Sequence, residues 1–182
     1  METTKLKDIT PDCFDIILNK YSKTLYKYCF HMLRNSSEAE DAVQEIFIKY
    51  YKQYTGKETN EYIKSYLYKM AHNHCVNIIR RKNILRFITL DNEEALQIKT
   101  EDNYYGSELS EEIEAALSKL SSEQRTVIIL RTIEEMSYEE IATIINKTPA
   151  ATRKQFERGR KRIKAFIELK KGEDCNETFN II

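Results

Sequence analysis

MSYEEIATIINKTPAATRKQFERGRKRIKAFIELKK, from Met136 to Lys171, reads as two helices joined by a tight turn, the second heavily cationic. Ser137 followed three residues later by Glu140 forms a capping box, in which each side chain satisfies a backbone N–H at a helix start. Ile141, Ala142, Ile144 and Ile145 give the first helix one apolar face. Asn146 and Lys147 end it, because asparagine tolerates the left-handed backbone that helix exits require. Thr148 suits an N-cap, and Pro149 suits the first helical turn, where the N–H it lacks would have no partner. The second helix places Thr152, Phe156, Gly159, Ile163 and Phe166 at alternating spacings of four and three, a single buried stripe. Around that stripe lie Arg153, Lys154, Arg158, Arg160, Lys161, Arg162 and Lys164. From Lys147 to Lys171 there are ten Lys/Arg against two Glu. A solvated basic face would explain the charge alone; together with the capped helix–turn–helix it points to duplex DNA.

The rest of the chain bounds this reading. Its 182 residues allow one or two small domains. Glycine and proline are scarce and apolar residues recur at helical spacing, so the expected class is all-α. Formal net charge is zero, with 29 basic and 29 acidic residues, which argues against indiscriminate binding to nucleic acid. The zero hides an asymmetry: from Asp91 to Glu114 there are nine acidic residues and one base, Lys99.

Upstream, Thr10–Pro11 opens a long amphipathic helix on Phe14, Ile17, Leu18, Tyr21, Leu25, Tyr28, Met32 and Leu33, ending near Arg34–Asn35. Ser37 with Glu40 predicts a second capping box, ahead of Ala39, Ala42, Val43, Ile46, Phe47, Tyr50 and Tyr54. After the loop TGKETN (55–60), a third helix on Ile63, Leu67, Met70, Ala71, Cys75 and Ile78 runs to about Lys82. Periodicity fades from Asn83 to Gly106. Ser107 or Ser110 then starts a helix on Ile113, Ala116, Leu117 and Leu120, and Ser121 with Gln124 caps another. The expected architecture is two small helical domains, 8–83 and 107–171, joined by an acidic linker, 84–106; the second ends in the helix–turn–helix.

Other chemistries find little support. His72, Asn73, His74 and Cys75 point in different directions on one helix and cannot make a tetrahedral metal site alone. No nucleophile–base pair or phosphate-binding glycine loop is present, so neither catalysis, metal nor cofactor is expected. The N-terminal METTKLKDIT lacks the apolar core of a signal peptide, and no apolar run approaches a membrane span. The four scattered cysteines suit a reduced cytoplasmic compartment.

Two further segments carry a family resemblance. SSEAEDAVQEIFIKYYKQY (36–54) resembles the polymerase-binding helix of the extracytoplasmic-function (ECF) sigma factors, bacterial transcription initiation subunits, through Ala39–Glu40–Asp41 and Gln44–Glu45–Ile46–Phe47. YIKSYLYKMAHNHCVNIIRRK (62–82) resembles the helix after it, and 117–163 is similar to the second domain of that family. The resemblance spans roughly Leu25 to Ile167. It implies core RNA polymerase as a partner, met by Glu40, Asp41, Gln44, Glu45 and Lys49 on a coiled coil of the largest subunit. It implies that unstacked bases of the −10 promoter element are captured by Tyr54, Lys57, Tyr66, Lys69, Asn73, Arg80 and Arg81, since single-strand capture needs stacking surfaces beside cations. It places the last helix in the major groove of the −35 element, with Thr152, Arg153, Lys154, Gln155, Glu157 and Arg158 near base edges and Arg160 and Lys161 near phosphates. DNA opening would need no ATP. Family members are often held by an anti-sigma factor, an expected partner that no residue here identifies; no membrane insertion is expected.

Three positions depart from the family pattern. Glu135–Met136 stands where a glycine usually precedes the helix–turn–helix leucine, Ala150–Ala151–Thr152 replaces Gly-Thr-Val, and Gly159 replaces a common alanine. These leave the fold expectation intact and the promoter sequence open. A stand-alone DNA-binding regulator is the alternative, although the N-terminal segment carries no sensor or phosphate-accepting signature. A helical adaptor that binds only protein would leave the basic helix unexplained.

Overall fold

The computed structural model describes residues 11–53, 60–89 and 111–179, and these form seven helices with no strand among them. They fall in two compact units, Met1–Asn103 and Tyr104–Ile182. No described helix is long and apolar enough to cross a membrane.

The first unit holds α1 (Pro11–Leu33), α2 (Ser36–Gln53) and α3 (Asn60–Thr89), each packed against the other two. The apolar positions of the sequence become its core: Leu25, Tyr28, Cys29 and Met32 from α1, Ala39, Ala42, Ile46 and Tyr50 from α2, and Leu67, Tyr68, Ala71 and Cys75 from α3 are essentially inaccessible. Burying each large apolar side chain contributes roughly 1.5–3 kcal/mol. Tyr28 and Tyr68 meet edge to face at 5.6 Å, the arrangement their ring quadrupoles favour. Cys29 and Cys75 are both free and buried. Their mutual hydrogen bond, with burial, pushes the Cys75 thiol well above its ordinary value and keeps it protonated.

Two boundaries differ from expectation. The cap of α2 is Asn35, whose Oδ1 accepts from the Glu38 N–H at 2.8 Å, and not Ser37 with Glu40. Arg34 exits α1 in the left-handed region (φ 56°), so asparagine stands where the chain re-enters a helix and competes successfully for the cap. Helix α3 runs to Thr89, past the expected Lys82 and into the expected linker. Ile84, Leu85 and Ile88 are exposed there, so they leave no core-facing period to read, yet no proline or glycine interrupts the helix. The remainder of the acidic linker, 90–106, and the helix start at Ser107 or Ser110 lie outside the described residues.

The second unit contains α4 (Glu111–Ser118), α5 (Ser122–Thr132), α6 (Tyr138–Ile145) and α7 (Pro149–Phe179). Helix α7 packs on all three of its companions. Leu117, Leu120 and Ile128 form one buried cluster, against which Ile113, Phe156 and Ile163 are packed. Arg125 ties the α4 exit to α5 by donating to the carbonyls of Leu117 (2.9 Å) and Ser118 (3.1 Å). Helix α7 continues eight residues beyond the expected domain end at 171, through Gly172.

Candidate nucleic-acid interface

The helix–turn–helix is built by its caps. The Ser137 N–H donates to Glu140 Oε2 at 2.7 Å and the Glu140 N–H to Ser137 Oγ at 3.2 Å, a complete capping box. Asn146 closes α6 in the left-handed conformation (φ 55°, ψ 52°), and the Lys147 N–H donates to the Ala142 carbonyl at 2.9 Å. Thr148 Oγ1 accepts from the Ala151 N–H at 3.2 Å and starts α7 at Pro149. Three residues therefore separate the helices.

Helix α7 divides sharply around its axis. Thr152 and Gly159 are buried and Phe156 and Ile163 half-buried, forming the inner stripe. Arg153, Lys154, Glu157, Arg158, Arg160 and Lys161 are all exposed on the remaining surface. Two of the expected DNA contacts stand apart from these six. Thr152 is fully buried, its hydroxyl donating to the Thr148 carbonyl at 3.0 Å, and the fold withholds it from any surface. Gln155 is half-buried, its amide engaged by Gln124 and Glu123 of α5 at 3.3 Å each.

Beside the exposed face lies an open cavity of about 520 Å³ lined by Arg131, Tyr138, Arg153, Phe156, Glu157 and Arg160, among others. Arg131 donates to the Met136 carbonyl at 2.8 Å while its guanidinium lies 5.0 Å from the Tyr138 ring centre. Tyr138 meets the Phe156 edge at 5.9 Å, and Arg160 lies 5.9 Å over Phe156. The Arg160–Glu157 pair, at 3.9 Å and exposed, adds only about 0.3 kcal/mol, so Arg160 is readily surrendered to an anion.

In the first unit, Glu40, Asp41, Gln44, Glu45 and Lys49 are all exposed on α2. Glu45 and Lys49 pair at 2.9 Å, and His74 Nδ1 of α3 lies 3.6 Å from Glu45. The Lys49 hydrogen bond and the charges of His74, Lys49 and Arg81 hold the Glu45 carboxyl below its ordinary value, against some desolvation. Next to Gln44 runs an apolar groove of about 590 Å³ between α1 and α2, lined by Phe14, Leu18, Val43, Phe47 and the exposed Ile48 and Tyr51.

On α3, Tyr66, Lys69, Asn73 and Arg80 fall within about 60° around the helix axis. The Tyr66 hydroxyl donates to Gln53 Oε1 at 2.8 Å, fixing its ring against α2. Arg81 is exposed on a neighbouring face. Tyr54 and Lys57 lie outside the described residues. Tyr62, outside the set expected from the sequence, is 70% exposed and lies on the same stripe as Tyr66 and Lys69. Its spacing of four from Tyr66 carried that signal. A second signal is composition: 62–90 contains six Lys/Arg and no carboxylate.

Comparisons with known proteins converge with this geometry. The family described as Sigma-70 region 2 matches residues 17–84, and Sigma-70, region 4 matches 110–163. The chain is 31% identical over 164 residues to the ECF RNA polymerase sigma factor SigW of Bacillus subtilis, covering 84% of this chain and 88% of that one. It is 28% identical to the sigma factor YlaC of the same organism, covering 88% and 91%. Among solved structures, it resembles the sigma factor RpoE in complex with the anti-sigma factor NepR from Bartonella quintana (TM-score 0.69, 22% identity, 85% and 96% covered). It also resembles CnrH in complex with the cytosolic domain of CnrY (TM-score 0.64, 16% identity, 88% and 90% covered). Those two likenesses establish the all-helical fold, and the SigW relationship establishes the family: this chain belongs to the ECF group of RNA polymerase sigma factors.

Proposed function

We propose that this sigma factor joins core RNA polymerase through the exposed face of α2, captures the opened −10 element on α3, and reads the −35 element with α7. The observation that carries the reading is the division of α7, where five cations and Glu157 cover the surface left by a buried, neutral stripe. Arg153, Lys154, Glu157 and Arg158 lie in its N-terminal half, where a helix in the major groove meets base edges, and Arg160 and Lys161 suit phosphates. Residues 8–83 and 107–171 act as the two functional domains, with the acidic segment between them as their tether.

On α2, Glu40, Asp41, Gln44, Glu45 and Lys49 supply polar contacts to polymerase, and the adjoining groove supplies apolar area. On α3, Tyr62 and Tyr66 offer rings while Lys69, Asn73, Arg80 and Arg81 offer cations and an amide, a combination suited to unstacked bases. Tyr54 and Lys57 belong to the same set. Opening then exchanges base stacking for protein contacts without ATP or a cofactor. Sigma factors are initiation factors and not catalysts; this one works in the cytoplasm, beside its polymerase. An anti-sigma partner completes the reading, supported by the solved complex of RpoE with NepR.

Holoenzyme carrying Arg153→Ala and Arg158→Ala is expected to lose upstream-element binding by more than tenfold while retaining polymerase association. Unchanged transcription from a cognate promoter would overturn the assignment of α7.

A further inference from the structure

Gln155 differs from the other polar residues of α7 in where it points. Taking the buried stripe as the origin, Arg153, Lys154, Glu157, Arg158, Arg160 and Lys161 lie about 80–240° around the helix, whereas Gln155 and Arg162 lie about 60–80° to the opposite side. That side faces the start of α5. There Gln124 Nε2 donates to Gln155 Oε1 at 3.3 Å, Gln155 Nε2 donates to Glu123 Oε2 at 3.3 Å, and Arg162 donates to Gln124 Oε1 at 3.0 Å. Gln124 is only 6% exposed, so its amide is a buried group whose bonds are costly to lose. Glu123 also pairs with Lys147, in the turn before α7, at 3.5 Å.

We infer that Glu123 and Gln124 bracket α7 and set its rotation, so that Gln155 is a positioning residue and not a reader of bases. Two adjacent residues hold three points on the DNA-binding element: the turn at Lys147, the first part of α7 at Gln155, and its middle at Arg162. Gly159 lets α7 approach α5 closely, but a smooth contact between helices leaves rotation about the long axis poorly fixed. Directional hydrogen bonds on one flank remove that freedom. Rotation by one residue position, about 100°, would exchange the side chains facing DNA. The bracket therefore acts on specificity through Arg153, Lys154, Glu157 and Arg158. It rests on the proposal that α7 faces DNA.

The test uses the full chain assembled with core polymerase, on duplex promoter fragments randomised across the upstream element. Gln155→Ala is expected to weaken binding about five- to tenfold and to flatten preference at several base pairs together. A base-reading glutamine would instead lose preference at one A·T pair, the usual partner of a glutamine amide, and that result would overturn the inference. Gln155→Glu, which sets two carboxylates against each other, is expected to weaken binding similarly. Adding Glu123→Gln to it restores a donor–acceptor pair and gives up only the solvent-accessible Glu123–Lys147 ion pair, which is worth little. Both affinity and preference should therefore return to within about twofold of the parent. Failure of this exchange, in a variant that melts and binds polymerase like the parent, would also overturn it. Should the Gln155 variants match the parent while Arg153→Ala loses binding, the bracket falls and α7 remains the reader. Should Arg153→Ala also have no effect, the assignment of α7 to DNA falls with it.

Discussion

Gly159 of α7 lies directly against Ile128 of α5: a Cβ at Gly159 would stand 3.0 Å from Ile128 Cγ1 and 3.2 Å from Cδ1. Alanine here would gain about 1 kcal/mol of helix propensity. It would also press on a β-branched side chain held in the Leu117–Leu120 cluster, and overpacking of that kind costs about 1–3 kcal/mol. Gly159→Ala is therefore expected to destabilise by about 1 kcal/mol. Ile128→Ala, which removes both Cγ1 and Cδ1, should cost less in the Gly159→Ala background than alone, a coupling measurable by denaturant unfolding. Additive effects would show that the contact relaxes freely.

Glu135 holds a left-handed backbone (φ 54°) just before the helix–turn–helix, where the family commonly has glycine. A side chain in that region costs about 1 kcal/mol, which glycine avoids. Glu135→Gly is expected to raise stability by about 0.5–1 kcal/mol, seen as a higher thermal midpoint. A lower midpoint would mean that the Glu135 side chain makes a contact worth more than the strain.

The second unit was legible because its signals are local. Ser137, Asn146, Thr148 and Pro149 each act within four residues, and all four occupy the expected roles. Asn35 displaced Ser37 as a cap because both types compete for the same orphan N–H groups, and only the exit geometry of Arg34 decides between them. The end of α3 was hidden because exposed apolar residues carry no core-facing period. Side-chain direction was the least legible feature. The stripe spacing did place Thr152 inside, where it is fully buried, against the DNA contact that the family resemblance implied for it. Nothing local in the sequence showed that Gln155 turns toward Gln124 and Glu123 of α5.

His74 provides a pH signature. Burial lowers its pKa below 6.5, although nearby Glu45 pulls the other way. The unfolded chain therefore binds the proton more readily than the folded one between 6.5 and the lowered value. The sign follows: stability is complete above about pH 6.5 and declines as pH falls through that window. His74→Gln should flatten the decline in thermal midpoint as pH falls below about 6.5. An equally steep decline in the variant would assign it elsewhere.

Ile48 separates polymerase docking from folding better than Phe47 does. Phe47 is 5% exposed and meets Phe14 edge to face at 6.2 Å, so its truncation would cost about 3–5 kcal/mol and confound any binding assay. Ile48 is 53% exposed on the rim of the same groove, one turn from Gln44. Ile48→Asp removes apolar contact area and sets a charge where a partner must exclude water, while the exposed site leaves the α1–α2 core intact. Association with core polymerase is expected to weaken at least tenfold, with the thermal midpoint within a degree or two of the parent. Binding of an isolated upstream-element duplex should not change. Normal polymerase affinity in Ile48→Asp would move the docking surface off the groove and confine it to the polar residues from Glu40 to Lys49.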